Sequence, residues 1–330
     1  MPSSPPASVL EVDLEPGRPP VLRVGATGDA PGWATEHREA LRAAVVEHGS
    51  VLVRGLGLSD AAEIAGVFER LAGPLMTEKE AFAPRRAYAG GLYSSSTWPP
   101  NQPMCMHHEL SYALEPPGLM LFACVVAPDE GGATAVADST AVLDALPAEL
   151  TDRFEGVGWL LTRNYNDDIG ASFAEAFGTE DRAAVERYCR AHEIEFEWRP
   201  DAGLRTRQRR RVVVRHPVTS QRCWFNQVAF LSKWTTDPEV REYLVDVYGA
   251  DGLPFDTRFG DGDPVGEDVV HLLNEVYDAH TAREPWQAGD LMVVDNIRTA
   301  HSRDPFEGRR EVLVGLAEPV RLTDGPPSAG

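Results

Sequence analysis

The sequence predicts a mainly β protein with helical decoration, and three observations carry that prediction. Short strand-like runs hold the unusual polar residues, and helices fill the gaps between them. These runs do not alternate with helices as a parallel sheet requires. No G-x-G-x-x-G follows a strand, which disfavours a dinucleotide-binding fold. The 330 residues are 43% hydrophobic, enough to bury a large core, and all-β units with inserted helices reach this length as one domain.

The elements follow from periodicity and punctuation. Residues 1–20 are rich in Pro and Ser and predict a flexible arm; 21–322 read as a single domain, and 323–330 (TDGPPSAG) as a flexible tail. A helix is expected over 35–48, with Leu41, Ala44, Val45 and His48 on one face and Gly49 as its stop. SVLVR (50–54) is strand-like. Ser59 can cap a second helix, in which Ile64, Val67, Phe68 and Leu71 recur at helical spacing before Gly73-Pro74 ends it. GLMLFACVV (118–126) reads as a buried strand turning at Gly131-Gly132. Thr179 is the expected cap of a helix over 179–191 carrying Val185, Tyr188 and Cys189. Shorter strands are expected at 212–215, 223–226, 291–295 and 312–316.

Composition excludes some partners. A net charge of −20 argues against a nucleic-acid backbone, which demands a basic face. Cys105, Cys124, Cys189 and Cys223 form no C-x-x-C pair, so neither a zinc knuckle nor a dithiol site is indicated. No leader-like opening or membrane-length apolar run is present. The expectation is a reduced, soluble, cytoplasmic protein without a membrane partner, its oligomeric state left open.

Chemistry concentrates in PMCMHHELSY (103–112). On a strand or strand end, His107 and Glu109 point to one side while His108 points away. An imidazole and a carboxylate could then share one ion. The leading third ligand is His301, just beyond the strand ending VVDN (293–296). Two histidines and one carboxylate leave three positions open, the arrangement of non-haem iron(II) oxygenases. An isolated H-x-E is common among exposed residues that do nothing special. The zinc-hydrolase motif H-E-x-x-H fails because Tyr112 stands where its second histidine must be. Downstream, Arg309-Arg310 enters a strand, and an arginine there could hold the distal carboxylate of a dianionic co-substrate.

With these residues in place, the chain resembles the taurine/2,4-D dioxygenase-like (TauD/TfdA) superfamily of iron(II)/2-oxoglutarate oxygenases, nearest the branch of the syringomycin aspartyl hydroxylase. The resemblance covers about residues 40–320. It rests on the ordered blocks YAGGLYSSSTWPPNQ (88–102), HHELSY (107–112), GGATAVADS (131–139), LRTRQ (204–208), WFNQ (224–227), PWQAGD (285–290) and DNIRTAH (295–301). It implies a double-stranded β-helix (jelly roll), Fe(II) held by His107, Glu109 and His301, and 2-oxoglutarate and O2 as co-substrates. It implies that Arg310 and Thr134 hold the distal carboxylate of 2-oxoglutarate; Arg309 departs from the proline common before that arginine. Related halogenases lose the carboxylate ligand, so Glu109 points to hydroxylation, with desaturation or cyclisation as variants of the same chemistry.

Substrate contacts are expected from Tyr93, Ser95, His108, Asn226 and Asn296, with Ser94 and Ser96 in the same polar block. The expected substrate is an amino acid or a derivative, free or tethered to a carrier protein, in natural-product biosynthesis. The basic run Arg205–Arg211 reads as a solvated loop, or as the seat of a carrier's phosphopantetheine arm. The competing classes are a cupin-like metal-binding module and a metal-dependent hydrolase.

Overall fold

A computed structural model describes residues 10–322 apart from Ala26, Pro84, Asp167, Asp201 and Ala202. The first helix, Ala30–His48, begins five residues before the expected position. Asp29 caps it by accepting from Gly32 N, and Pro31 suits its first turn. The second helix, Ala61–Ala72, is capped by Asp60, whose carboxylate takes the amides of Ala62 and Glu63; Ser59 lies one residue outside. Its Ile64, Val67, Phe68 and Leu71 are at most 1% exposed, each contributing roughly 1.5–3 kcal/mol of burial. The third expected helix runs Arg182–Ala191 behind Asp181, two residues past Thr179.

These first two helices cover one face of a six-stranded sheet. Its order is Val21–Arg23, Ser50–Arg54, Leu291–Asp295, Pro117–Val126, Glu311–Pro319 and Tyr93–Ser94; the first pair is parallel and the others antiparallel. Alternation along Pro117–Val126 explains its unbroken apolar sequence. Leu119, Leu121 and Ala123 pack with the helices, while Met120, Phe122 and Cys124 face the other way.

That other face packs with a second, antiparallel sheet: Thr281–Ala282, Val136–Asp138, Thr299–Arg303 and Met104–His107. Met104, Met106, Val136 and Ala300 share one core with Met120, Phe122, Met292 and Val314. Register sets His301 directly opposite His107. The protein is thus a mixed helix–sheet structure built largely on antiparallel strands.

Several expectations need correction. The basic run is no loop: Leu204–Arg210 is an inner strand of a sheet ordered Phe255–Phe259, Trp159–Tyr165, Leu204–Arg210 and Glu195–Trp198. Arginine occupies both of its faces, which hides the alternation. Arg210 is buried and spends its donors on the carbonyls of Tyr112, Arg209 and His192. Residues 10–20 are not loose either. Leu10 and Val12 pack on the helix-side core, Asp13 pairs with Val21, and Arg18 bonds Glu284. Residues 1–9 and the expected tail lie outside the described residues. Helices Ala148–Val157, Pro238–Tyr248 and Glu267–Ala279 had no expectation attached. Among the described residues no helix is long and apolar enough to cross a membrane.

Candidate active site

The space between the two stacked sheets is lined by His107, Glu109 and His301 at one side and Arg310, Thr134 and Ser95 at another. His107 ends its strand, and the chain then turns through Leu110, whose φ of 51° is left-handed. Glu109 converges with His107, while His108 points away toward Asn296 and Ser139. His107, Glu109 and His301 each present one ligand atom, all within 4.8 Å of one another, and the three are 2–4% exposed.

Neighbours fix the orientation of these groups. His107 Nδ1 donates to Cys105 O at 2.8 Å, so its Nε2 carries the free lone pair. Phe230 stacks on His107 at 4.6 Å, and Phe122 meets His301 edge-on at 5.2 Å. His301 Nε2 lies 3.8 Å from Glu109 Oε2. Burial, with the neighbouring His301, pushes His107 down to about 3. Burial opposes ionisation of Glu109, yet Arg85, helped by the nearby His301, holds its carboxyl well below the usual range. Arg85 Nη2 donates to Glu109 Oε2 at 2.9 Å. Two imidazoles and one carboxylate, dry and convergent, are a donor set that fits a divalent ion with open positions.

Asn296 and His108 take different roles from the expected substrate contacts. Asn296 Oδ1 accepts from Glu109 N at 2.8 Å, while its Nδ2 donates to Glu109 O at 3.0 Å and Pro117 O at 2.8 Å. Its amide therefore clamps the backbone that carries the acid. Asn296→Ala is expected to leave three buried backbone groups unpaired, at about 1–3 kcal/mol each. Urea denaturation should show a loss of roughly 3 kcal/mol or more; a loss within error would refute the clamp.

His108 is fully buried on the far side, donating from Nδ1 to Asn296 O at 2.6 Å and accepting from Ser139 Oγ at Nε2, 2.8 Å. Burial pushes it down to about 4 from an ordinary 6.5. The unfolded chain takes up this proton first, so the metal-free protein should lose stability as pH falls from 6.5 toward 4. For His108 alone the loss is on the order of 3 kcal/mol. Glu78 acts oppositely: burial pushes it up to about 7, so it adds stability as pH falls from 7 to 4.5. Melting curves should slope less steeply over this window in His108→Gln; an unchanged slope would contradict the assignment.

The remaining expected residues divide. Ser95 lines the cavity, donating to Val312 O at 3.1 Å and accepting from Arg310 Nη1 at 3.1 Å. Tyr93 is half-buried, and its hydroxyl accepts from Glu78 N at 3.0 Å. Asn226 Oδ1 accepts from Val228 N at 3.0 Å, while its buried Nδ2 has no partner among the described residues. Neither Tyr93 nor Asn226 lines the cavity.

Arg310 and Arg309 part company at the start of their strand. Arg309 turns outward to Glu311 with its side chain 77% exposed. Arg310 turns inward and donates to Gly132 O, Ser95 Oγ and Thr134 Oγ1 at 2.9, 3.1 and 3.3 Å. Trp286 Nε1 also points at Thr134 Oγ1, 3.3 Å away. Burial and the nearby Arg303 lower Arg310 to about 10, and among the described residues it meets no carboxylate. Gly132 makes room for it: at φ 67°, a Cβ there would stand 3.1 Å from Arg310 Cδ. A desolvated guanidinium surrounded only by neutral acceptors fits an incoming anion.

Sequence reasoning missed Arg85, Glu78, Phe122, Phe230 and Arg303. No spacing rule links Arg85 to Glu109, and the aromatic pair reads as ordinary core.

Antiparallel sheets enclosing a buried cluster of two histidines and one carboxylate define a protein of the facial-triad class. The chain belongs to the taurine catabolism dioxygenase TauD, TfdA family, matched over residues 14–316. It is 33% identical over 274 residues to the dapdiamide synthesis protein DdaC of Enterobacter agglomerans, covering 83% of each chain. A clavaminate synthase-like protein of Arabidopsis thaliana is 28% identical over 283 residues, 82% of each. The crystal structure of PvcB from Pseudomonas aeruginosa shares the fold, with a TM-score of 0.55 and 15% identity over 94% of this chain and 90% of that one.

Proposed function

We propose that this protein is an iron(II)- and 2-oxoglutarate-dependent oxygenase that hydroxylates an unactivated C–H of an amino acid or amino-acid-derived substrate in natural-product biosynthesis. The observation that carries this reading is Arg310, an inward guanidinium without an acid partner, across one cavity from the buried triad. Family membership supports the oxygenase class, and the likeness to a dapdiamide synthesis protein supports the biosynthetic setting. We read the two packed antiparallel sheets as the double-stranded β-helix. Three buried cysteines and a half-buried fourth, all unpaired, suit a reducing cytoplasm.

In this reading His107, Glu109 and His301 hold iron, and Arg310 with Thr134 holds the distal carboxylate of 2-oxoglutarate. The bound metal and co-substrates supply the oxidation, in which 2-oxoglutarate and O2 give succinate and CO2 and one oxygen atom enters the substrate. The chain does the rest. Asn296 and Arg85 keep Glu109 oriented, and Phe122 and Phe230 wall the histidines from water. Ser95 and Thr134 accept from Arg310, so its guanidinium is aimed before any anion arrives.

The test is a screen of free amino acids and aminoacyl carrier proteins for succinate release, with products weighed by mass spectrometry. A gain of one oxygen is expected. Succinate release stimulated by neither substrate class would sink the amino-acid reading.

A further inference from the structure

Arg85 does more than face Glu109. Its Nε donates to Ser96 Oγ at 3.0 Å and its Nη2 to Glu109, but its buried Nη1 has no hydrogen-bond partner among the described residues. The side chain is 6% exposed and lines the same cavity as the triad and Arg310. Beside it, 3.6 Å from Nε, lies the Glu78 carboxylate, whose side chain is also only 6% exposed. Glu78 stands outside the residues that line the cavity, and its carboxylate accepts no hydrogen bond among the described residues. A buried donor without an acceptor thus adjoins a carboxylate held by an ion pair at 3.6 Å. Leaving such a donor unmet is costly.

The segment that carries them is firmly held. Tyr112 Oη and Arg163 Nη1 both donate to Glu80 O, at 2.7 and 2.6 Å, and Arg163 Nη2 reaches Ala81 O at 2.8 Å. Tyr93 Oη accepts from the Glu78 amide itself. The pair is therefore preorganised.

We propose that Arg85 Nη1 and Glu78 receive the α-carboxylate and α-ammonium groups of a free amino-acid substrate, so that this enzyme takes the free acid and rejects a carrier-bound thioester. The assignment rests on the function proposed above. Three arginines line the cavity, and Arg303 spends its Nη donors on the carbonyls of Trp98, Pro99 and Gln102, which leaves two with different surroundings. Arg310, among neutral acceptors, suits the co-substrate, and Arg85, beside an acid, suits a zwitterion. A thioester carbonyl is neutral and brings no anion to Nη1, so the donor would stay poorly matched.

The experiment begins by adding iron(II) and 2-oxoglutarate anaerobically to the full chain. Failure of a visible charge-transfer band would remove the proposed function itself, and this assignment with it. With the band present, proteinogenic L-amino acids, their carboxamides and their N-acetylcysteamine thioesters are compared by succinate release. Turnover with a free amino acid is expected, with kcat/KM about 100-fold lower for the matching carboxamide and thioester. Glu78→Gln, which does not touch Glu109, should keep the band and raise the KM for that amino acid about tenfold or more. It should also erase most of the preference over the analogue lacking the amine, which a purely structural role would not do. Turnover by thioesters alone, no stimulation by any free amino acid, or an unchanged preference in Glu78→Gln would each overturn the assignment.

Discussion

Arg310→Ala is expected to raise the KM for 2-oxoglutarate by at least about 30-fold. Truncating one partner of a desolvated, hydrogen-bonded charge pair costs roughly 2–5 kcal/mol, which is some 30-fold to several thousand-fold. Stability should move little or even rise. The guanidinium has no acid to orphan among the described residues, and its removal relieves a desolvation strong enough to lower it to about 10. Arg309→Ala is the control: its exposed pairing with Glu311 leaves the cavity untouched, so the KM should stay within about twofold. Steady-state succinate release against 2-oxoglutarate concentration decides the matter. Equal behaviour of the two variants would show that Arg310 holds no co-substrate.

Glu109→Ala should produce the second large effect, and it should be double. The only carboxylate of the triad disappears, so iron retained after desalting should fall to background and turnover with it. Arg85 is simultaneously left buried with its closest acid gone, which costs about 3–5 kcal/mol when one member of a buried pair is removed. The metal-free variant should therefore unfold at a visibly lower urea concentration than metal-free wild type. Wild-type turnover together with retained iron would make the ligand assignment wrong. His301→Ala shares the metal loss without the Arg85 penalty, because His301 forms no pair with that arginine.

Much of this was legible in the sequence, and for identifiable reasons. Helices Ala30–His48 and Ala61–Ala72 announce themselves through buried residues at helical spacing, though Asp29, six residues before the expected start, caps the first and Asp60, next to Ser59, caps the second. His107 and Glu109 were paired by two-residue alternation at a strand end, and they do converge there, His107 being the last residue of its strand. Spacing could only nominate His301. Its place opposite His107 is a matter of strand register across nearly 200 residues, which family resemblance anticipated and periodicity could not. Adjacent Arg309 and Arg310 are chemically alike, and only the entry of the strand decides which one faces the cavity.

What stayed hidden depends on partners rather than residue type. The Leu204–Arg210 strand carries arginines on both faces, so its burial pattern is masked by charge. Asn296 was noticed as a polar group near His301, but its use as a backbone clamp on Glu109 requires three specific bonds that no motif encodes. Arg85 and Glu78 lie in a segment of mixed charge that reads as surface, and it is Tyr112 and Arg163 from elsewhere in the chain that pull it inward.

The central claim, that His107, Glu109 and His301 form an open-faced iron site beside Arg310, is tested most directly by anaerobic titration. Iron(II) added to the metal-free protein should bind with a stoichiometry of about one per chain, as one triad requires. Subsequent 2-oxoglutarate should then produce a weak visible charge-transfer band that neither component gives alone. The same titration of His301→Ala should give no band, and Arg310→Ala should need far more 2-oxoglutarate to reach it. A wild-type protein that binds iron yet develops no band, or a His301→Ala protein that develops it in full, would contradict the account.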